Sequence, residues 1–154
     1  MEDPKADLCA AKILVMNYKV ISKDVIGHMY QAHNSLRKSG LDEQLIALVE
    51  LRVSQLNGCA YCCRFHAGEL RAWGMDAALL DQLPGWKLAA GFTERQQLAL
   101  QWADALTLME GDLPAIRRQL ESVFTEKELV DLTASISLMN ALNRLRITLG
   151  DHDH

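Results

Sequence analysis

The sequence predicts a single all-α domain, and three observations carry that prediction. Apolar residues make up 49% of the chain while aromatic ones reach only 6%, and an excess of Leu and Ala over β-branched and aromatic types favours helices. Only 3 Pro and 9 Gly punctuate 154 residues. Between these breaks the apolar positions recur at helical spacing, often behind a capping signal. The length suits one domain over residues 1–154 with a core of its own, and no repeat, low-complexity tract or linker divides it.

Taken in order, the first helix runs from about Lys23 to Lys38, an amphipathic stretch that stops at Ser39-Gly40. A second spans roughly Leu41 to Leu56, with Leu45, Leu48, Val49, Arg52 and Leu56 at i, i+3, i+4, i+7 spacing and Asp42 placed to cap it. Asn57-Gly58 is a turn dipeptide. A third helix opens at Cys59 or Ala60 and closes at Gly74, a residue suited to the left-handed terminator. A short helix from about Asp76 to Leu83 ends at Pro84-Gly85. Thr93-Glu-Arg-Gln96 and Thr125-Glu-Lys-Glu128 are capping boxes. The first opens a helix that ends at Gly111; a further helix covers Leu113 to Val123. The second capping box opens the last helix, about Glu126 to Leu149. The count is six to seven helices.

That last helix carries no charge between Asp131 and Arg144. A helix apolar nearly all round is buried on more than one side, and its Ser135, Ser137, Asn140 and Asn143 predict close helix packing, including across a subunit boundary.

Charge and patterning exclude several functions. The formal net charge is −4, which gives no electrostatic footprint for nucleic acid. No apolar run reaches the ~18 residues of a membrane span. Met1-Glu2-Asp3-Pro4 is acidic where a secretory leader is basic, so the expected location is the cytoplasm.

The chemistry concentrates in Asn57-Gly-Cys-Ala-Tyr-Cys-Cys-Arg-Phe-His66. Three of the 4 cysteines, Cys59, Cys62 and Cys63, fall within it, unlike a secreted disulfide framework, which spreads its cysteines. On a helix starting near Cys59, Cys59 and Cys62 are i, i+3, and Cys62 and His66 are i, i+4, so all three line one face. Helical i, i+3 Cα atoms stand about 5–6 Å apart, which a disulfide accepts. The helix N-terminus favours a thiolate, and His66 is a base within reach of Cys62. Thiol, base and second thiol make a redox site. Two other readings remain: buried core cysteines, and a zinc site built from Cys59, Cys62, Cys63 and His66. Zinc is disfavoured because structural sites draw their second ligand pair from elsewhere in the chain, where only Cys9 and Asp151-His-Asp-His154 are on offer. A c-type haem is excluded because Cys63 stands where the motif needs histidine.

Cys63 points about 100° away from Cys62 on a helix and reads as a packed thiol. His28 and His33 read as solvated or satisfied. Glu50 stands in Leu45-Ile-Ala-Leu-Val-Glu-Leu51, where a carboxylate needs a partner or a site. Arg52, two residues on, is either a structural ion-pair partner or a substrate contact. Glu69, three residues after His66, is either a relay or a solvated residue.

The stretch Glu50-Leu-Arg-Val-Ser-Gln-Leu-Asn-Gly-Cys-Ala-Tyr-Cys-Cys-Arg-Phe-His66 resembles the core of AhpD-like alkylhydroperoxidases, within the carboxymuconolactone decarboxylase family. Ser39-Gly-Leu41, Phe92-Thr-Glu-Arg95 and Met139-Asn-Ala-Leu-Asn-Arg144 extend the likeness from about Leu36 to Arg146. The resemblance implies an AhpD-like helical bundle assembled as trimers or hexamers. It implies thiol-dependent reduction of hydroperoxides without metal, haem or other cofactor. By position, Cys62 becomes the peroxidatic thiol, Cys59 the resolving thiol and His66 the base, with Glu50 as the candidate relay carboxylate. A dithiol partner, lipoyl-type or thioredoxin-like, then restores the pair. Two positions depart from the AhpD pattern: Ala47 stands where its relay glutamate falls, one turn before Glu50, and Tyr61 where it has histidine. Family members that decarboxylate lack the cysteine pair, so the pair argues against that reaction. The alternative function is thiol–disulfide exchange or redox sensing by an oligomer without peroxidase turnover.

Overall fold

A computed structural model describes residues 15–150. Among these residues the chain forms eight α-helices and one 3-10 helix, without strands. The α-helices are α1 (Tyr18–Ile21), α2 (Lys23–Arg37), α3 (Glu43–Asn57), α4 (Ala60–Ala72), α5 (Ala77–Asp81), α6 (Glu94–Leu108), α7 (Leu113–Leu120) and α8 (Glu126–Leu149); the 3-10 helix is Leu83–Leu88.

Local chemistry sets most of the ends. Asp42 accepts from the Leu45 N–H and starts α3, and both threonine capping boxes form as the spacing requires. Gly74 adopts φ 83°; its N–H bonds the Arg71 carbonyl and the Met75 N–H the Leu70 carbonyl, a Schellman closure of α4.

Three ends differ from expectation. Pro84-Gly85 does not stop the chain's helical course: Pro84 needs no donor early in a 3-10 turn, Gly85 departs to φ −108°, ψ 29°, and buried Leu83 and Trp86 hold the segment down. The expected Asp76 to Leu83 helix therefore divides into α5 and this turn. α6 ends at Met109, itself left-handed at φ 53°, before Gly111 is reached. α7 stops at Leu120, short of Val123. The extra helix α1 has only four residues, too few to register a period.

α3 is the axis of the molecule. Its residues Leu45 to Leu51, Val53 and Ser54 are all buried, because two apolar clusters pack on opposite sides. One joins Ile46, Val49 and Val53 to Trp102, Leu120, Leu132, Ile136 and Met139. The other joins Ala47, Leu48 and Leu51 to Leu70, Leu83, Trp86 and Leu100. α8 packs against α2, α3 and α6, consistent with its lack of charge. Its polar residues Ser135, Asn140 and Asn143 find partners within this chain. Asn57 Nδ2 donates to Asn140 Oδ1 (3.0 Å) and Asn143 Oδ1 (3.1 Å), and Asn143 Nδ2 donates to Ser54 Oγ (3.2 Å). Ser135 turns to Glu50, whereas Ser137 is exposed. No helix among the described residues is long and apolar enough to cross a membrane.

Candidate functional site

Gly58, left-handed at φ 73°, ends α3 and turns the chain straight into α4, whose N-cap is Cys59. This tight joint sets the α4 N-terminus beside α3 and places Cys62, His66 and Leu70 on its buried face. Cys59 and Cys62 form a disulfide with a Cα–Cα separation of 5.3 Å, so the expected i, i+3 reach is realised. Both are buried. Cys62 lines a cavity of about 380 Å³ together with His66, Glu69, His33 and Arg37. Tyr30, Tyr61, Phe65, Met139 and Leu142 supply its apolar lining, and Lys19 and Arg146 its further cations. Arg146 stacks on the Tyr61 ring at 3.6 Å.

Beneath His66 lies a buried charge cluster drawn from four helices. Glu50 of α3 is 0% exposed. Arg37 of α2 donates from Nη2 to Glu50 Oε2 (2.5 Å) and Glu69 Oε2 (2.9 Å). His33 Nε2 lies 3.0 Å from Glu50 Oε1, and the Ser135 hydroxyl of α8 donates to the same oxygen at 3.1 Å. His66 Nδ1 stands 3.0 Å from Glu69 Oε2 and 3.5 Å from Glu50 Oε2. An ionised carboxylate only accepts, so Nδ1 carries the hydrogen toward Glu69 and Nε2 is left as the basic nitrogen.

The electrostatics follow from these contacts. Burial pushes the Glu50 carboxyl up, but His33, His66 and Arg37 together outweigh it and hold the group below its ordinary value. Burial also raises Glu69; the His66 hydrogen bond and the Arg37 charge reverse the sign and leave it lowered. Arg37 is pushed up, its burial being overcome by the two carboxylates.

Glu50, His66 and Glu69 offer ligand atoms within 4.8 Å of one another, a set that a divalent cation would accept by type. The cation standing among them is the Arg37 guanidinium, whose Nη2 lies 2.5, 3.5 and 2.9 Å from their respective atoms. A metal would have to displace it.

The four candidate site residues, Cys59, Cys62 and His66 from their spacing and Glu50 from its apolar setting, therefore come together, and Glu69 is hydrogen-bonded to His66. Arg52 does not join them: it pairs with Asp104 through Nε (2.6 Å) and Nη2 (3.1 Å), the structural alternative. Cys63 is half-buried against the second apolar cluster, and burial pushes its thiol up. His28 is exposed, the solvated side of its reading, and His33 is partnered by Glu50 at 3.0 Å, the satisfied side. Arg37 drew no notice in the sequence. The available signal was their i, i+4 spacing, one face of α2 opposite the buried Glu50. Cys9 and Asp151-His-Asp-His154 lie outside the described residues.

Residues 25–105 match the family model described as "Carboxymuconolactone decarboxylase family", more than half of the chain and including every member of this cluster except Ser135. The chain belongs to the carboxymuconolactone decarboxylase family. Its AhpD-like character within that family agrees with its structural neighbours. A protein of unknown function from Agrobacterium tumefaciens, associated by name with the antioxidant-defence protein AhpD, superposes with a TM-score of 0.81 at 29% identity, over 87% of this chain and 93% of that one. An uncharacterized peroxidase-related protein with an AhpD core from Ralstonia eutropha shares the fold at a TM-score of 0.72 and 24% identity, over 84% and 70% of the two chains. Among curated relatives, the uncharacterized YdfG of Bacillus subtilis is 25% identical over 138 residues, 88% of this chain and 94% of its own.

Proposed function

We propose that this family member is a thiol-dependent peroxidase that reduces alkyl hydroperoxides, an antioxidant role. The observation that carries the reading is the Cys59–Cys62 disulfide at a cavity it shares with His66, whose Nδ1 is engaged by carboxylates. In the reduced protein His66 Nε2 takes the Cys62 proton. The thiolate attacks the terminal peroxide oxygen; the O–O bond breaks, the alkoxide leaves as the alcohol with the proton from His66, and Cys62 becomes a sulfenic acid. Cys59 sulfur then attacks Cys62 sulfur, forming the disulfide and releasing water. An external dithiol, lipoyl-type or thioredoxin-like, reduces that disulfide through a mixed disulfide and is itself oxidised. Glu50 acts with Glu69 as the carboxylate pair behind His66. The reading includes a cytoplasmic homo-oligomer, trimer or hexamer. Supporting an oligomer of either size is a groove of about 950 Å³ along α8, lined by its Leu129, Val130 and Ala134 together with Phe124 and Trp102.

The test is consumption of an organic hydroperoxide driven by a dithiol. Turnover should vanish in Cys62→Ser; undiminished turnover in that variant would sink the assignment. Thiol–disulfide exchange is the second reading, favoured by Ala47 and Tyr61 at the two positions that depart from the AhpD pattern. It predicts a reversible Cys59–Cys62 disulfide with no catalytic loss of peroxide.

A further inference from the structure

We propose that Arg37 is a positioning residue for Cys62 chemistry: as the fixed counter-ion between Glu50 and Glu69, it keeps both carboxylates charged and holds the His66 proton on Nδ1. The inference rests on His66 acting as base toward Cys62, and on no particular oxidant.

Geometry singles out Arg37. One nitrogen, Nη2, reaches Glu50, Glu69 and the His66 ring at once, while the guanidinium lies 5.8 Å from the Trp73 ring centroid. The side chain is 12% exposed, so its charge is poorly screened. It joins α2 to α3 and α4, and so fixes Glu69 where the carboxylate can receive the Nδ1 hydrogen.

The charge count explains the consequence. With Glu50 and Glu69 ionised, Arg37 cationic and His66 neutral, these four groups sum to −1. Transfer of the Cys62 proton to His66 brings them to zero and leaves the negative charge on sulfur. Without Arg37 the same groups sum to −2, which a buried site relieves by binding a proton before Cys62 ionises. A protonated Glu69 can then donate to Nδ1, so His66 holds its own hydrogen on Nε2 and is no longer a base toward Cys62.

The other charged and titratable groups facing the site are His33 and Tyr30 on α2, Lys19 on α1, Tyr61 on α4 and Arg146 on α8, with the Ser135 hydroxyl on Glu50. They are shared by wild type and variant, so the comparison isolates Arg37.

The experiment measures iodoacetamide alkylation of Cys62 in the reduced protein from pH 4 to 9, with the modified cysteine assigned by peptide mass spectrometry. Arg37→Gln removes the charge, and its alkylation midpoint should move up by about 1 pH unit or more, the size of shift a close charge produces. Arg37→Lys keeps the charge, and its midpoint should stay within about half a unit of wild type. A merely structural Arg37 would lower the melting temperature and leave the midpoint in place. An unshifted midpoint in folded Arg37→Gln would overturn the proposal, as would a full-unit shift in Arg37→Lys. The lysine variant alone keeps that second outcome available if the glutamine variant does not fold. Hydroperoxide does not enter this assay, so a shifted midpoint in a protein that reduces no peroxide would support the role of Arg37 and fail the peroxidase reading alone.

Discussion

Replacing Glu50 by glutamine preserves side-chain shape and removes one buried charge. Glu50 is 0% exposed, with Arg37 at 2.5 Å and His33 at 3.0 Å. Removing one partner of a buried ion pair costs about 3–5 kcal/mol, because the other charge is left buried. Here Arg37 keeps Glu69 at 2.9 Å, and a glutamine oxygen can still accept from Ser135. The expected loss at neutral pH is therefore near the low end, about 3 kcal/mol. Its pH dependence has a definite sign. The folded Glu50 carboxyl titrates below its ordinary value, so the unfolded chain takes up the proton first as pH falls. The stabilisation is complete well above the unfolded value of ~4.3 and is lost as pH drops through the lowered folded value. Urea unfolding of wild type and Glu50→Gln, followed by circular dichroism at pH 7 and at steps below pH 5, measures both effects. Glu69 is present in both proteins and cancels to first order. A difference under about 1 kcal/mol at pH 7, the size of an exposed pair, or a gap that does not narrow in acid, would refute the assignment of Glu50 as a buried, ionised hub.

Two further outcomes follow from residues outside the cluster. Arg52→Gln should destabilise by about 1–3 kcal/mol, because Asp104 loses its charged donor and retains the Trp86 indole N–H at 3.1 Å; Cys62 alkylation should be unchanged, and altered thiol reactivity would return Arg52 to the site. Asn143→Ala should cost about 2–3 kcal/mol in urea unfolding, since Ser54 and Asn57 lose partners in a buried seam; a loss under about 0.5 kcal/mol would mean that water replaces them.

The helix ends were legible in the sequence because their causes are local. Asp42, Thr93 and Thr125 bond N–H groups three residues on, and Gly74 needs only its own positive φ. The same locality made the thiol site readable, since one helical turn carries Cys62 to His66. The two misread ends had different causes: Met109 is exposed and takes its positive φ where the Glu110 N–H closes the turn on the Ala105 carbonyl, with no glycine to announce it, whereas burial of Leu83 and Trp86 kept the Pro84-Gly85 turn helical.

The sequence by itself determined an all-helical chain and a cysteine pair set against a histidine, because both depend on spacings within one or two turns. Tertiary structure alone decided what stands behind that histidine. Arg37 meets Glu50 and Glu69 across separations of 13 and 32 residues, and Ser135 reaches Glu50 across 85. No period or local motif encodes such contacts; they exist because two apolar clusters clamp α3 and leave its one buried carboxylate facing α2, α4 and α8. The polar residues of α8 were equally ambiguous in sequence, being suited to a subunit boundary or to this core. Packing against α3 and α6 is what gives Asn140 and Asn143 partners for their amides within the chain.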